Sequence, residues 1–201
     1  MVKENNIKSH FSNKAKNYHY KSLTFPWSLI RKNESRIILN FLGDIRGKNI
    51  LDVGSGSGYY SKLMVKKKAK KVYALDNSKA MLNNITEKNI VKINQSAESF
   101  DIKKKFEKIV CAGLLEFVGS SEKVLKNIKK HSKKKCELVI LCPQNNILAK
   151  IYKFYHYLNK INIRLFEFED IEKVLNLSGW KIKKIKKILF SNIILATLKD
   201  E

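Results

Sequence analysis

Three cysteines, Cys111, Cys136 and Cys142, are too few and too scattered to frame a fold with disulfides. Cys136 and Cys142 also lack a second pair at metal-site spacing, so reduced, buried thiols are expected and no metal site. Long apolar runs are missing too. Nothing approaches the roughly 18 residues that cross a bilayer, and no charged start leads into a secretion signal. A soluble, cytoplasmic protein without a transmembrane segment is therefore expected. Acidic residues are scarce, 18 against 41 lysines and arginines, which gives a formal charge of +23. Arginine, whose planar fork suits phosphate, is itself rare: Arg31, Arg36, Arg46 and Arg164 are all there are. The excess charge reads either as a surface for RNA, lipid or another polyanion, or as a compositional drift, since lysine, asparagine and isoleucine recur in every segment.

What the chain does have is a regular alternation of strand and helix patterns. Its 201 residues suit one domain with a substantial core. Residues 1–26 are polar and aromatic and read as an arm or lid; residues 27–201 read as the domain. Pro26 opens a helix over 27–42, with Leu29, Ile30, Ile37, Ile38 and Leu42 largely on one side, and Gly43 closes it. The order then runs strand 49–53, helix 58–67, strand 71–75, helix 78–88 and strand 90–94. A turn near 97–102 leads to strand 107–112, helix 120–131 and strand 136–141. That rhythm predicts an α/β fold with a doubly wound, mostly parallel sheet. After Pro143 it changes. Residues 144–160 predict an amphipathic helix or helix pair, followed by a helix over 168–177. Strands 180–188 and 192–199 have no room for a crossover, so they predict an antiparallel hairpin turning at Phe190–Asn192.

The stretch "NILDVGSGSGYY" ends the first strand in a glycine loop, Gly54, Gly56 and Gly58, where backbone must turn tightly into a helix. A phosphate-binding Walker loop needs lysine after its last glycine, and Tyr59 stands there. A dinucleotide loop needs a different third spacing. Asp52, two residues before Gly54, would repel a pyrophosphate at a helix N-terminus and would suit a cationic ligand instead. S-adenosylmethionine carries an ammonium and a sulfonium and no phosphate; a loop-capping carboxylate is the plainer alternative. Asp76, at the carboxyl end of the second strand, is placed to accept two ribose hydroxyls or to cap the next helix.

With these motifs in order, the chain resembles the class I (Rossmann-like) S-adenosylmethionine-dependent methyltransferases, over roughly residues 27–199, and within them the branch acting on small molecules. "LDVGSGSG" is similar to that family's first motif and "VYALDNSKAML" to its second. "NQSAESF" resembles the third, with Ser96 where an aspartate commonly stands. "FEKIVCAGLLEFV" resembles the fourth, with Phe117 in place of a common histidine. "SGWKIKKI" and "IILATLK" resemble the closing hairpin. The resemblance implies a seven-stranded sheet of order 3-2-1-4-5-7-6 and S-adenosyl-L-methionine as cofactor. It also implies cofactor contacts from Asp52, Gly54, Ser55, Gly56, Gly58, Asp76, Asn77, Ser96, Ala97, Cys111 and Leu114, with Tyr18 closing from the arm. A helical insertion at about 144–166 would cover a small-molecule acceptor.

Methyl transfer needs a general base only for some acceptors, and Glu116, His156 and His10 are the candidates. Glu116 can equally be structural, and the aromatic stripe around His156 can equally be core. The lysine runs 66–71, 103–105 and 129–135 precede strands, so they should gather at the amino ends, opposite the ligand end of such a sheet. That argues against clamping a nucleic-acid substrate and leaves weak docking to an anionic surface or nucleic acid. An RNA or protein methyltransferase, and a binding protein that keeps the fold without turnover, are the alternatives.

Overall fold

The structure, a computed structural model, describes residues 27–158 and 160–199; the arm expected over 1–26, with His10 and Tyr18, lies outside them. The first described helix, α1 (Trp27–Leu42), carries Ile38 and Leu42 inward and stops at Gly43, whose left-handed backbone (φ 63°) turns its N–H onto the Leu39 carbonyl at 3.1 Å. Then β1 (Asn49–Val53), α2 (Tyr59–Lys66), β2 (Lys71–Asp76), α3 (Lys79–Leu82), β3 (Ile90–Asn94) and β4 (Phe106–Ala112) follow. They continue into α4 (Ser121–Lys130), β5 (Ser132–Pro143), α5 (Ile147–Leu158), α6 (Phe168–Leu177), β6 (Trp180–Ile188) and β7 (Ser191–Leu198).

The seven strands form one sheet of order β3-β2-β1-β4-β5-β7-β6. Strands β1 to β5 pair in parallel, and β7 runs antiparallel between β5 and β6. Alternate side chains fill two cores, as the pleat requires. Ile50, Val110, Val139 and Ile193 pack under α1 and α2. Leu51, Ile109, Leu138 and Ile194 pack under α4 and α6. All three cysteines are free and buried.

Several boundaries differ from the sequence reading. The helix expected over 78–88 is only the single turn Lys79–Leu82, capped by Ser78 Oγ accepting from Met81 N–H. Beyond it the chain bends through Asn83 and Asn84, and Ile85 becomes fully buried against Gly58. Strand β5 begins at Ser132 rather than 136, because Phe106 pairs with Ser132 across a register shift before Lys108 meets Glu137. The hairpin turns at Leu189 and Phe190, so β7 starts one residue earlier than expected. The largest difference lies in α5. Ala149 and His156 face inward, but Ile147, Ile151, Phe154 and Leu158 are exposed, so its apolar stripe is not core.

Candidate active site at the carboxyl ends of the strands

The glycine loop is built by pairing and then by packing. Val53 lies beside Leu75, and the Leu75 carbonyl accepts from Gly54 N–H at 2.8 Å and Ser55 N–H at 2.9 Å. From there Gly54, Gly56 and Gly58 all take left-handed backbone, with φ of 74°, 53° and 79°. A Cβ on Gly54 would fall 2.9 Å from Leu114, and one on Gly58 2.8 Å from Ile85. A Cβ on Gly56 would meet nothing within 4 Å. The outer glycines are thus demanded by neighbours. The middle one has open space beside its Cα, where a ligand can approach.

Two carboxylates flank this loop. Asp52 is buried on the α2 side of β1, and Ser61 Oγ on α2 donates to its Oδ2 at 2.5 Å. Burial, first, and then the nearby Asp76 charge push its pKa up to about 7, against the Ser61 hydrogen bond. Asp76 accepts from Gly56 N–H on Oδ2 and from Ser78 N–H on Oδ1, both at 2.8 Å, so it ties the loop to the end of β2. Burial raises its pKa despite those two bonds. Neither carboxylate has a lysine or arginine ion-paired to it among the described residues. In a chain with 41 lysines and arginines, that leaves a locally negative loop. It suits a cation and disfavours a phosphate.

Beyond β4 lies a second acidic cluster. Glu116 is buried, its Oε2 has no hydrogen-bond partner among the described residues, and its main-chain oxygen accepts from Arg164 N–H at 3.0 Å. Burial, with a smaller push from Glu34, moves its pKa up to about 8. Glu34, on α1, was not singled out from sequence. It accepts from Ser191 Oγ at 2.6 Å, and burial raises its pKa as well. A signal was present, since Glu34 sits one and two turns ahead of the buried Ile38 and Leu42, an acid on an apolar stripe. His156 is buried under α5, its ring 5.6 Å from Phe117 and 4.5 Å from Tyr152. The helix thus lies across the loop after β4.

Ser55 is brought to the loop with its buried Oγ lacking a hydrogen-bond partner among the described residues, and Asn77 follows Asp76 directly, half-buried. Ser96 is half-buried after β3, while Ala97 is buried and its carbonyl accepts from Asn127 Nδ2 at 3.4 Å. Leu114 packs on Gly54. The side chain of Cys111 shares a buried cluster with Ala97, and Leu114 packs against that cluster. Cys111 lies in the apolar core on the α4 side, fully buried, and burial drives its thiol pKa well up. The lysine runs gather where expected: Lys70 N–H bonds the Lys48 carbonyl at 2.9 Å, and Phe106 N–H the His131 carbonyl at 2.8 Å, which joins the amino ends of β1 with β2 and of β4 with β5. A groove there is lined by Lys103, Lys104, Lys105, Lys123, Lys126 and Lys130.

The sequence profile of a family described as a methyltransferase domain matches residues 28–185. No curated protein sequence matches significantly. Among solved structures, the magnesium protoporphyrin IX methyltransferase of Synechocystis PCC 6803 with bound SAH superposes with a TM-score of 0.76 at 15% identity, covering 98% of this chain and 100% of that one. The DhpI–SAH complex gives 0.78 at 15% identity, covering 99% and 98%. A chain from the complex between the Haloferax volcanii Trm112 methyltransferase activator and a methyltransferase gives 0.80 at 10% identity, covering 94% and 98%. At these identities the likeness is one of fold.

Proposed function

The chain belongs to the methyltransferase-domain family, and from that premise we propose a cytoplasmic enzyme that moves a methyl group from S-adenosyl-L-methionine to a small-molecule acceptor by in-line displacement. The observation that carries this reading is the pairing of Asp52 and Asp76 around the left-handed glycine loop, with no lysine or arginine of the described residues ion-paired to either. When bound, that cosubstrate supplies a methyl on a sulfonium, whose thioether leaves without needing a proton. The protein's work is alignment and exclusion of water.

In this reading Gly54, Gly56 and Gly58 let backbone close on the methionine portion, with Ser55 Oγ turned to the same loop. Asp52 orients the ammonium. Each oxygen of Asp76 keeps a second acceptor site beyond its backbone bond, and these hold the ribose hydroxyls, beside Asn77. Ser96, Ala97 and Leu114 flank the adenine, and Tyr18 of the arm closes over the methionine end. Cys111 supports the floor of the cofactor site from the core. On the acceptor side, α5 and the segment through 166 cover the site. Glu116, with its pKa near 8, presents a donor at neutral pH and takes up the acceptor's proton above that. His156 and His10 remain the other proton acceptors of the proposal. The lysine-rich groove at the opposite end of the sheet takes no part in transfer and serves weak docking to an anionic surface or nucleic acid.

Calorimetric titration tests the proposal. The protein should take up S-adenosylmethionine and S-adenosylhomocysteine with micromolar affinity and ignore NADH. Label from methyl-labelled donor should pass to small-molecule amines, phenols or acids and leave bulk RNA and protein unlabelled. Uptake of NADH without uptake of the sulfonium compound would overturn it.

A further inference from the structure

Helix α5 presents its apolar residues to solvent and its smallest face to the protein. Ala149 and His156 face inward, whereas Ile147, Ile151, Phe154 and Leu158 are 78%, 62%, 59% and 66% exposed. These four stand at i, i+4, i+7 and i+11, one continuous outward stripe on a 3.6-residue helix. The stripe does not end with the helix. Asn146 Nδ2 donates to the Leu189 carbonyl at 2.7 Å, which brings the β6–β7 turn against the start of α5, and Leu189 is itself 54% exposed. A monomer surface seldom leaves so many large apolar side chains contiguous without a use for them.

Charge identifies what covers the stripe. From Gln144 to Phe166 the chain carries Lys150, Lys153, Lys160 and Arg164 and not one acid. Strand β6 adds Lys186 and Lys187 beside the Leu189 turn, level with Ile193 and Asn192 of β7. A second copy bearing its own +23 would be repelled from such a surface. An anionic lipid surface would be attracted to it. At 12 residues, α5 is about 18 Å long, and no described helix is long and apolar enough to cross a membrane. The geometry is that of a helix lying in the headgroup plane, apolar stripe down, with lysines reaching back to phosphates.

We propose that α5 and the Leu189 turn form a membrane-docking face that seats the carboxyl-end rim of the sheet on an anionic phospholipid bilayer. This face is distinct from the lysine-rich groove at the amino ends, and it requires no assumption about the reaction.

Vesicle flotation of the full chain at physiological salt tests it. Phosphatidylcholine vesicles containing phosphatidylglycerol should bind the protein, and phosphatidylcholine alone should bind it far less. Each buried large apolar side chain is worth roughly tenfold or more in partitioning, so Ile151→Asp with Phe154→Asp should cost at least about a hundredfold. Both positions are exposed, and unchanged circular dichroism would show that the fold is intact. Phe154→Trp offers a second readout, a blue-shifted emission on adding the anionic vesicles. Absence of binding, or binding that the double aspartate variant retains, would overturn the proposal. So would a dimer in light scattering that the same variant dissolves, because a second copy would then be the occupant.

Discussion

Replacing Asp52 with asparagine should move ligand affinity and protein stability in opposite directions. The side chain keeps its shape, so Ser61 Oγ can still donate to an oxygen at that position. What disappears is the negative charge. A hydrogen bond to a charged group is worth about 1.5–3 kcal/mol, so Asp52→Asn should weaken S-adenosylmethionine binding by roughly 10- to 150-fold. The free protein should respond the other way. A carboxyl moved from 3.8 to about 7 by burial and by Asp76 carries up to about 4 kcal/mol against its ionised form. Because the folded pKa lies above the unfolded one, the unfolded chain releases this proton first. Stability then falls as pH climbs from about 4 to 7 and levels off above. Asparagine removes that penalty. If only half of it is realised, Tm at pH 8 should rise by about 4–8 °C for a chain of this size. Thermal melts at several pH values, paired with calorimetry, would read both effects. A variant that loses affinity without gaining stability would refute a buried, unpaired charge at Asp52, and unchanged affinity would refute its role toward a cation.

Glu116→Gln should leave cofactor binding intact and abolish any rise in turnover between pH 7 and 9, since the carboxyl ionises near 8; a pH–rate profile checks this. Gly58→Ala meets both left-handed strain and a 2.8 Å clash with Ile85, so it should cost about 2–4 kcal/mol in urea melts; Gly56→Ala, with strain alone, should cost about 1–2. Ser191→Ala removes the hydrogen bond to buried Glu34 and should destabilise by about 1–3 kcal/mol. Because burial already raises that carboxyl's pKa, the loss should be larger at pH 8 than at pH 5. Charge reversal at Lys103–Lys105 should abolish heparin retention if the amino-end groove docks anions, while retention unchanged by it would remove that role.

Strand direction was legible because the signals are local, namely strand–helix alternation and a hairpin too short for a crossover, whereas the order of the strands came from the family resemblance. Helix α3 was overestimated because its boundary is set by a contact distant in sequence, Ile85 turning in to fill the space beside Gly58. Strand β5 was underestimated because three lysines at its start look like a loop, although pairing with β4 extends it. The glycine loop and its two acids were found from spacing. Glu34 was missed because an isolated acid in a helix reads as solvent-facing, and only the register of Ile38 and Leu42 shows that it points inward. The apolar stripe of α5 was seen, with core packing and a cover over the acceptor as its two readings. Periodicity reports that a helix has a face and is silent on what that face meets.

The insertion of β7 between β5 and β6 has a consequence for how the molecule is made. Every strand up to β5 can assemble from chain already synthesised, but the far side of β5, where Val139 and Ile140 lie, waits for β7, which follows β6 in sequence. Until Ser191–Leu198 emerges from the ribosome, the nascent domain shows an unpaired apolar border to its surroundings. A slow or interrupted translation step between β5 and β7 should therefore expose this chain to self-association, and a chaperone that shields that border would find its client there.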